Sequence, residues 1–112
     1  MSTNTDIVAY VEESEFDIVL NGSEEQVVVV DFTATWCGPC RLISPLMDQL
    51  AQEYKGRAKV VKVDVDNNKP IFKKFGLRSI PAVLIFKDGV LAETIVGVSP
   101  YEQFTNAIDK LL

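Results

Sequence analysis

The chain has 112 residues, a length that suits one domain, 1–112, with a core of its own. Hydrophobic residues make up 47% and charged residues 24%, which excludes a disordered chain and fits a soluble globular one. The net charge is only −5, the basic residues are scattered apart from Lys73-Lys74, and no apolar run could span a bilayer, so neither nucleic acid nor membrane is an expected partner.

Met1 to Asp6 lacks the basic start and apolar stretch of a secretory signal. Ile7 to Glu12 is short and apolar enough for an edge strand. Ser14-Glu15-Phe16-Asp17 then offers a helix cap, and Asn21-Gly22 ends that short helix. Val27 to Phe32 is a continuous, mostly β-branched run, the pattern of a strand covered on both faces. Trp36-Cys37-Gly38-Pro39-Cys40 follows directly, and a helix is expected from Arg41 through Tyr54. Its apolar stripe is Leu42, Ile43, Leu46, Met47 and Leu50, its interior holds Pro45, and Gly56 lies at its stop.

Val60 to Val65 reads as the next strand, with Lys62 and Asp64 on the face opposite Val61, Val63 and Val65. Asn67 or Asn68 caps a short helix that ends near Gly76. Ala82 to Phe86 is again strand, and Lys87-Asp88-Gly89 turns it into an antiparallel partner, Val90 to Val96. Ser99-Pro100-Tyr101-Glu102 has the form of a capping box with proline at the first helical position. Phe104, Ala107, Ile108 and Leu111 supply the stripe of a last helix. The order β-α-β-α-β-α-β-β-α predicts an α/β fold: a central mixed sheet of about five strands flanked by four helices on both faces. In such sheets chemistry collects at the carboxyl ends of the strands, and Cys37 stands just past one.

Cys37 and Cys40 are the only cysteines, so no disulfide framework staples the fold. Two intervening residues place the sulfurs about one turn apart, where they can close a small disulfide and reopen it. Cys37 falls at the start of a helix, where unpaired N–H groups and the positive end of the macrodipole favour a thiolate, the species that attacks disulfides. A closed zinc site takes about four ligands, yet the chain has no histidine and no third cysteine. Redox chemistry is therefore the expectation, in the cytosol or an equivalent reducing compartment, with no metal and no cofactor beyond the Cys37–Cys40 disulfide itself. An inert thiol pair, or half of a metal site shared between two chains, is the alternative. Within the redox reading Cys37, nearer solvent, attacks; Cys40, more shielded, resolves the mixed disulfide.

Asp31 stands after a run of valines, so burial would raise its pKa and make it an internal acid or base for Cys40; a strand-end aspartate reaching solvent is the competing reading. Lys62 would then either partner Asp31 or lie exposed, and the pattern slightly favours exposure. Pro81 stands immediately before a strand, and its residues alone favour a trans Ile80–Pro81 bond. Trp36 is either core or a partly exposed contact beside the cysteines.

Taken together, Val30-Asp31-Phe32, Trp36-Cys37-Gly38-Pro39-Cys40, Pro45, Ile80-Pro81 and Gly97 resemble the thioredoxin family over nearly the whole chain. The resemblance implies the thioredoxin fold and a protein-disulfide reductase that is itself reduced by a dedicated thioredoxin reductase, NADPH- or ferredoxin-linked. It implies Cys37 as nucleophile, Cys40 as resolving thiol and Asp31 as buried proton carrier. It also implies a cis Pro81 facing the disulfide and a substrate-docking surface of Trp36, Gly38, Pro39, Ile80, Pro81 and Gly97. Disulfide-bearing proteins are the expected partners and a monomer the expected state. The expected compartment is the cytoplasm, or the plastid stroma where a transit peptide has been removed. A binding or scaffold subunit of the same fold, with incidental thiols, is the competing function; an oxidase or isomerase would need a more oxidising pair. Many relatives carry a second tryptophan where this chain has Thr33, so a large apolar neighbour is missing near the cysteines.

Overall fold

Four valines, Val27 to Val30, are each at most 1% exposed, because the strand they open is central and covered on both faces. In the computed structural model, which describes residues 8–112, that strand is β2 (Val27–Thr33). The other strands are β1 (Ala9–Tyr10), β3 (Ala58–Asp64), β4 (Ala82–Lys87) and β5 (Val90–Val96). The helices are α1 (Phe16–Gly22), α2 (Gly38–Glu53), α3 (Lys69–Lys74) and α4 (Tyr101–Asp109). The five strands lie in the order β1-β3-β2-β4-β5. β1, β3 and β2 run parallel, whereas β4 is antiparallel to both β2 and β5. The mixed α/β sheet expected from the sequence is therefore present. Met1 to Asp6, and Ile7 of the expected edge strand, lie outside the described residues.

Alternation along β2 and β3 divides the core. Val27, Val29, Ala58 and Val60 pack with Ile43, Met47 and Leu50 of α2 and with Phe104 and Ile108 of α4. Val28, Val30, Phe32, Val61 and Val63 pack on the other face with Phe16 and Leu20 of α1 and Ile71 of α3. Phe104 and Ile108 are 0% exposed, and burying such a side chain stabilises the fold by about 1.5–3 kcal/mol.

Several local details differ from the sequence reading. Leu42 is 64% exposed and Leu46 only half-buried, because Cys40, Ile43, Met47, Leu50 and Ala51 already define the face of α2 that meets the sheet. The turn ahead of α1 is capped from Glu12, whose N–H donates to Glu15 Oε1 at 2.9 Å, rather than from Ser14. Asn68 precedes α3 but does not cap it with its side chain. It is buried, accepts from the Glu13 N–H (2.8 Å) and donates to the Asp64 carbonyl (2.9 Å), tying the β1–α1 connection to the end of β3. The Ser99–Glu102 capping box does not form. Pro100 is itself the N-cap, and the Ser99 hydroxyl turns back to the Gly97 carbonyl at 3.4 Å.

The β4–β5 turn uses Asp88 (φ 51°) and Gly89 (φ 81°), the pair of positive φ angles that matches the twist of a two-residue hairpin. A Cβ on Gly89 would run into the Asn21 carboxamide. The exposed Asn21 side chain can swing aside, so Gly89→Ala should lose about 1–2 kcal/mol of stability in urea unfolding from the left-handed φ. Wild-type stability in that variant would show the turn to be free to rearrange.

Candidate functional site

β2 runs out at Thr33 in the middle of the sheet, and a short loop delivers the chain to α2. Cys37 is the N-cap of that helix, in extended geometry (φ −88°, ψ 108°), and Pro39 sits in the first turn, where its missing N–H leaves no intrahelical bond unmade. Cys37 and Cys40 are joined by a disulfide with Cα atoms 5.3 Å apart. The Cys40 N–H donates to Cys37 Sγ at 3.2 Å. The same donor, with the helix dipole behind it, would stabilise a thiolate on Cys37 once the bond is reduced. Accessibility does not separate the cysteines as expected: they are 4% and 2% exposed. Their asymmetry comes from the helix. Cys37 receives the N-terminal N–H; Cys40 lies a turn further in.

Asp31 is 1% exposed, and its Oδ1 is a buried oxygen without a hydrogen-bond partner. Burial pushes its pKa from 3.8 up to about 7, opposed only in part by the positive charge of Lys62. The solvent-reaching alternative for Asp31 is thus excluded. Lys62 is its register partner across the β2–β3 ladder, half-buried rather than free, with Nζ donating to Ser44 Oγ at 3.0 Å. Cys40, Ser44 and Lys62 line a common cavity of about 240 Å³.

The remaining predicted residues fall into separate groups. Trp36 is 66% exposed, so it is not core, and its Nε1 donates to Asp66 Oδ2 at 2.7 Å. It shares a groove of about 340 Å³ with Ile80, Val65, Phe72, Arg78 and Ser79. Gly38 and Pro39 are exposed on the first turn of α2. The Ile80–Pro81 bond is cis, as the resemblance implied and the local residues alone did not. Pro81 is buried, and its carbonyl accepts from the Gly97 N–H at 2.8 Å, so Gly97 is held beside it although sixteen positions away in the chain. Sequence reasoning missed Asp66, Ser44 and the Val65–Phe72 wall. Only the tryptophan's need for an indole N–H partner could have hinted at Asp66. Among the described residues no cluster of three or more His, Cys, Asp or Glu side chains is placed to hold a metal, and no helix is long and apolar enough to cross a membrane.

A buried disulfide at a helix mouth, with a buried, unpartnered carboxyl on the strand that leads into it, is equipped for thiol–disulfide exchange. Comparison with known proteins agrees. The thioredoxin family model matches residues 7–110. The chain is 48% identical over 85 residues to thioredoxin 1 of Synechococcus elongatus, covering 76% of this chain and 79% of that protein. It is 43% identical over 109 residues to thioredoxin M5, chloroplastic, of Oryza sativa, covering 97% of this chain and 63% of the rice protein. An N21Q mutant thioredoxin from Halobacterium salinarum superposes with a TM-score of 0.84 at 32% identity, covering 98% of this chain and 96% of that one. The chain belongs to the thioredoxin family of thiol–disulfide oxidoreductases.

Proposed function

We propose that residues 1–112 act as one monomeric domain that reduces protein disulfides, with Cys37 as nucleophile, Cys40 as resolving thiol and Asp31 as the internal base. The Cys37 thiolate attacks one sulfur of a target disulfide, forming a mixed disulfide and expelling the target's other sulfur as a thiolate. Asp31 takes the proton from the Cys40 thiol, and the resulting thiolate attacks Cys37 Sγ. The Cys37–Cys40 bond forms and the target's second sulfur leaves, so two electrons have passed from the dithiol to the target. With its pKa near 7, the Asp31 carboxyl is close to its midpoint at neutral pH and can both take and return a proton.

The exposed indole of Trp36, the adjoining groove with Ile80, the exposed Gly38 and Pro39, and Gly97 with the Pro81 carbonyl it binds form the docking surface for the target chain. A dedicated reductase, NADPH- or ferredoxin-linked, returns two electrons and two protons to the disulfide. The working compartment is a reducing one, cytoplasm or plastid stroma; the relatives include bacterial and chloroplast thioredoxins.

The observation that carries this reading is the Cys37–Cys40 disulfide at the N-cap of α2. Its test is capture on Cys40→Ser, which retains the nucleophile but cannot resolve. Target proteins should accumulate as mixed disulfides on Cys37 and be released by dithiothreitol. If no such adducts form while the variant remains folded, the assignment of the two sulfurs is wrong.

A further inference from the structure

Ser44 and Lys62 line the cavity that reaches Cys40 and take no part in the exchange steps themselves. Ser44 lies one turn after Cys40 on α2, so both project toward the same region. Serine is a modest helix former, and the residue before a proline, here Pro45, is disfavoured in helical geometry. A local gain is therefore expected. Ser44 Oγ accepts the Lys62 ammonium at 3.0 Å.

Lys62 is in turn the register neighbour of Asp31 and a wall of the cavity that reaches Cys40. That cavity also has Tyr10, Thr33 and Arg41 in its lining, and Thr33 presents a small polar side chain there. A lysine ammonium on its flexible stem would otherwise swing out into this open space. The Tyr10 ring, with its centroid 5.8 Å from Nζ, is a weaker tether than the hydroxyl.

We propose that Ser44 is a positioning residue for the resolving step: its hydroxyl holds the Lys62 ammonium in the cavity that reaches Cys40, beside its register neighbour Asp31, so that the positive charge favours the ionised carboxylate that accepts the Cys40 proton. This rests on Asp31 being that acceptor.

The other groups around Asp31 leave Lys62 as the charge that matters. Its β4 register partner is Val83, and the core on that face contributes apolar side chains from α2, β4, β5 and α4. The tyrosines of that cluster, Tyr54 and Tyr101, are bonded to Asp109 and Glu53. From α2 come Cys40 and Arg41, the latter donating to the Thr35 carbonyl at 3.1 Å; from β1 comes Tyr10. Lys62 lowers the Asp31 pKa against the larger effect of burial, which is the sense the proposal needs.

The test is the pH profile of target release from the mixed disulfide, measured by stopped flow in Ser44→Ala and Ser44→Thr, together with carboxyl-carbon NMR titration of Asp31. Ser44→Ala should move the rising limb and the Asp31 titration upward by about half a pH unit, making release roughly threefold slower below the limb with an unchanged plateau. Ser44→Thr, which keeps the hydroxyl, should restore both. Lys62→Met should give a larger shift of the same sign, and adding Ser44→Ala to it should change nothing further. An unmoved profile in Ser44→Ala, or an equal shift in the Lys62→Met background, overturns the proposal. If instead Asp31→Asn keeps the wild-type release profile, the assignment of Asp31 as acceptor has failed, while the NMR titration still reads whether Ser44 directs Lys62 toward the carboxyl.

Discussion

Cys37→Ser should reduce insulin turnover, with dithiothreitol as electron source, to the rate of dithiothreitol alone, a loss of about a hundredfold or more. The reason is chemical rather than structural. A serine hydroxyl at the N-cap can still accept the Cys40 N–H now received by Cys37 Sγ, so the start of α2 keeps its cap. The hydroxyl cannot form or exchange an S–S bond, and the sequence has no cysteine outside the pair to substitute for it. Thermal unfolding monitored by circular dichroism separates the two causes: the variant should melt as one cooperative transition while its turnover is gone. Retained insulin reduction in the folded variant would contradict the role of Cys37.

Asp31→Asn is expected to stabilise the protein and slow it at the same time. The Asp31 carboxyl titrates near 7 in the folded chain against 3.8 ordinarily, so between those values the folded state binds more protons than the unfolded one. Stability from this group is therefore complete below about pH 4, is lost as pH rises toward 7, and stays at the lower level above it. A gap of about three pH units at about 1.4 kcal/mol each sets a ceiling of roughly 4 kcal/mol. The neutral amide removes the ionisation but also needs partners in a site where Oδ1 has none, which offsets part of the gain. Denaturant unfolding should show Asp31→Asn more stable than wild type by about 2–4 kcal/mol at pH 8, with a much smaller difference at pH 4. The same variant should release trapped targets more slowly near and above pH 7, where wild type has the carboxylate that accepts the Cys40 proton, with the difference shrinking at lower pH. Equal stability differences at the two pH values would mean that the carboxyl is already neutralised by a partner in the folded chain.

Much of this could be read locally. The valine run of β2, the periodic apolar positions of α2 and α4, and the Asp88-Gly89 turn each declare themselves within a few residues, because strand alternation, helical spacing and positive φ are short-range constraints. The errors lay where a local signal competes with a distant partner. Ser99 looked like a cap, but its hydroxyl is drawn to the Gly97 carbonyl at the point where the chain packs against Pro81. Asn68 looked like another cap, but its side chain bridges the β1–α1 connection and the end of β3. Leu42 looked like core because hydrophobicity alone does not say which side of α2 meets the sheet.

The sulfur pair, its place between a buried strand and a helix, and hence the redox character of the protein were determined by the sequence alone, since residues this close in the chain need no fold to bring them together. The environment that governs those sulfurs was decided only in three dimensions. The strand order β1-β3-β2-β4-β5 sets Lys62 beside Asp31 and brings both to the region beneath α2, where Ser44 meets the ammonium. It also sets Gly97 against Pro81, while Asp66, beyond the end of β3, meets the Trp36 indole. The strength with which a charge acts depends on burial and on neighbours from separate strands and helices, and neither exists until the sheet has assembled.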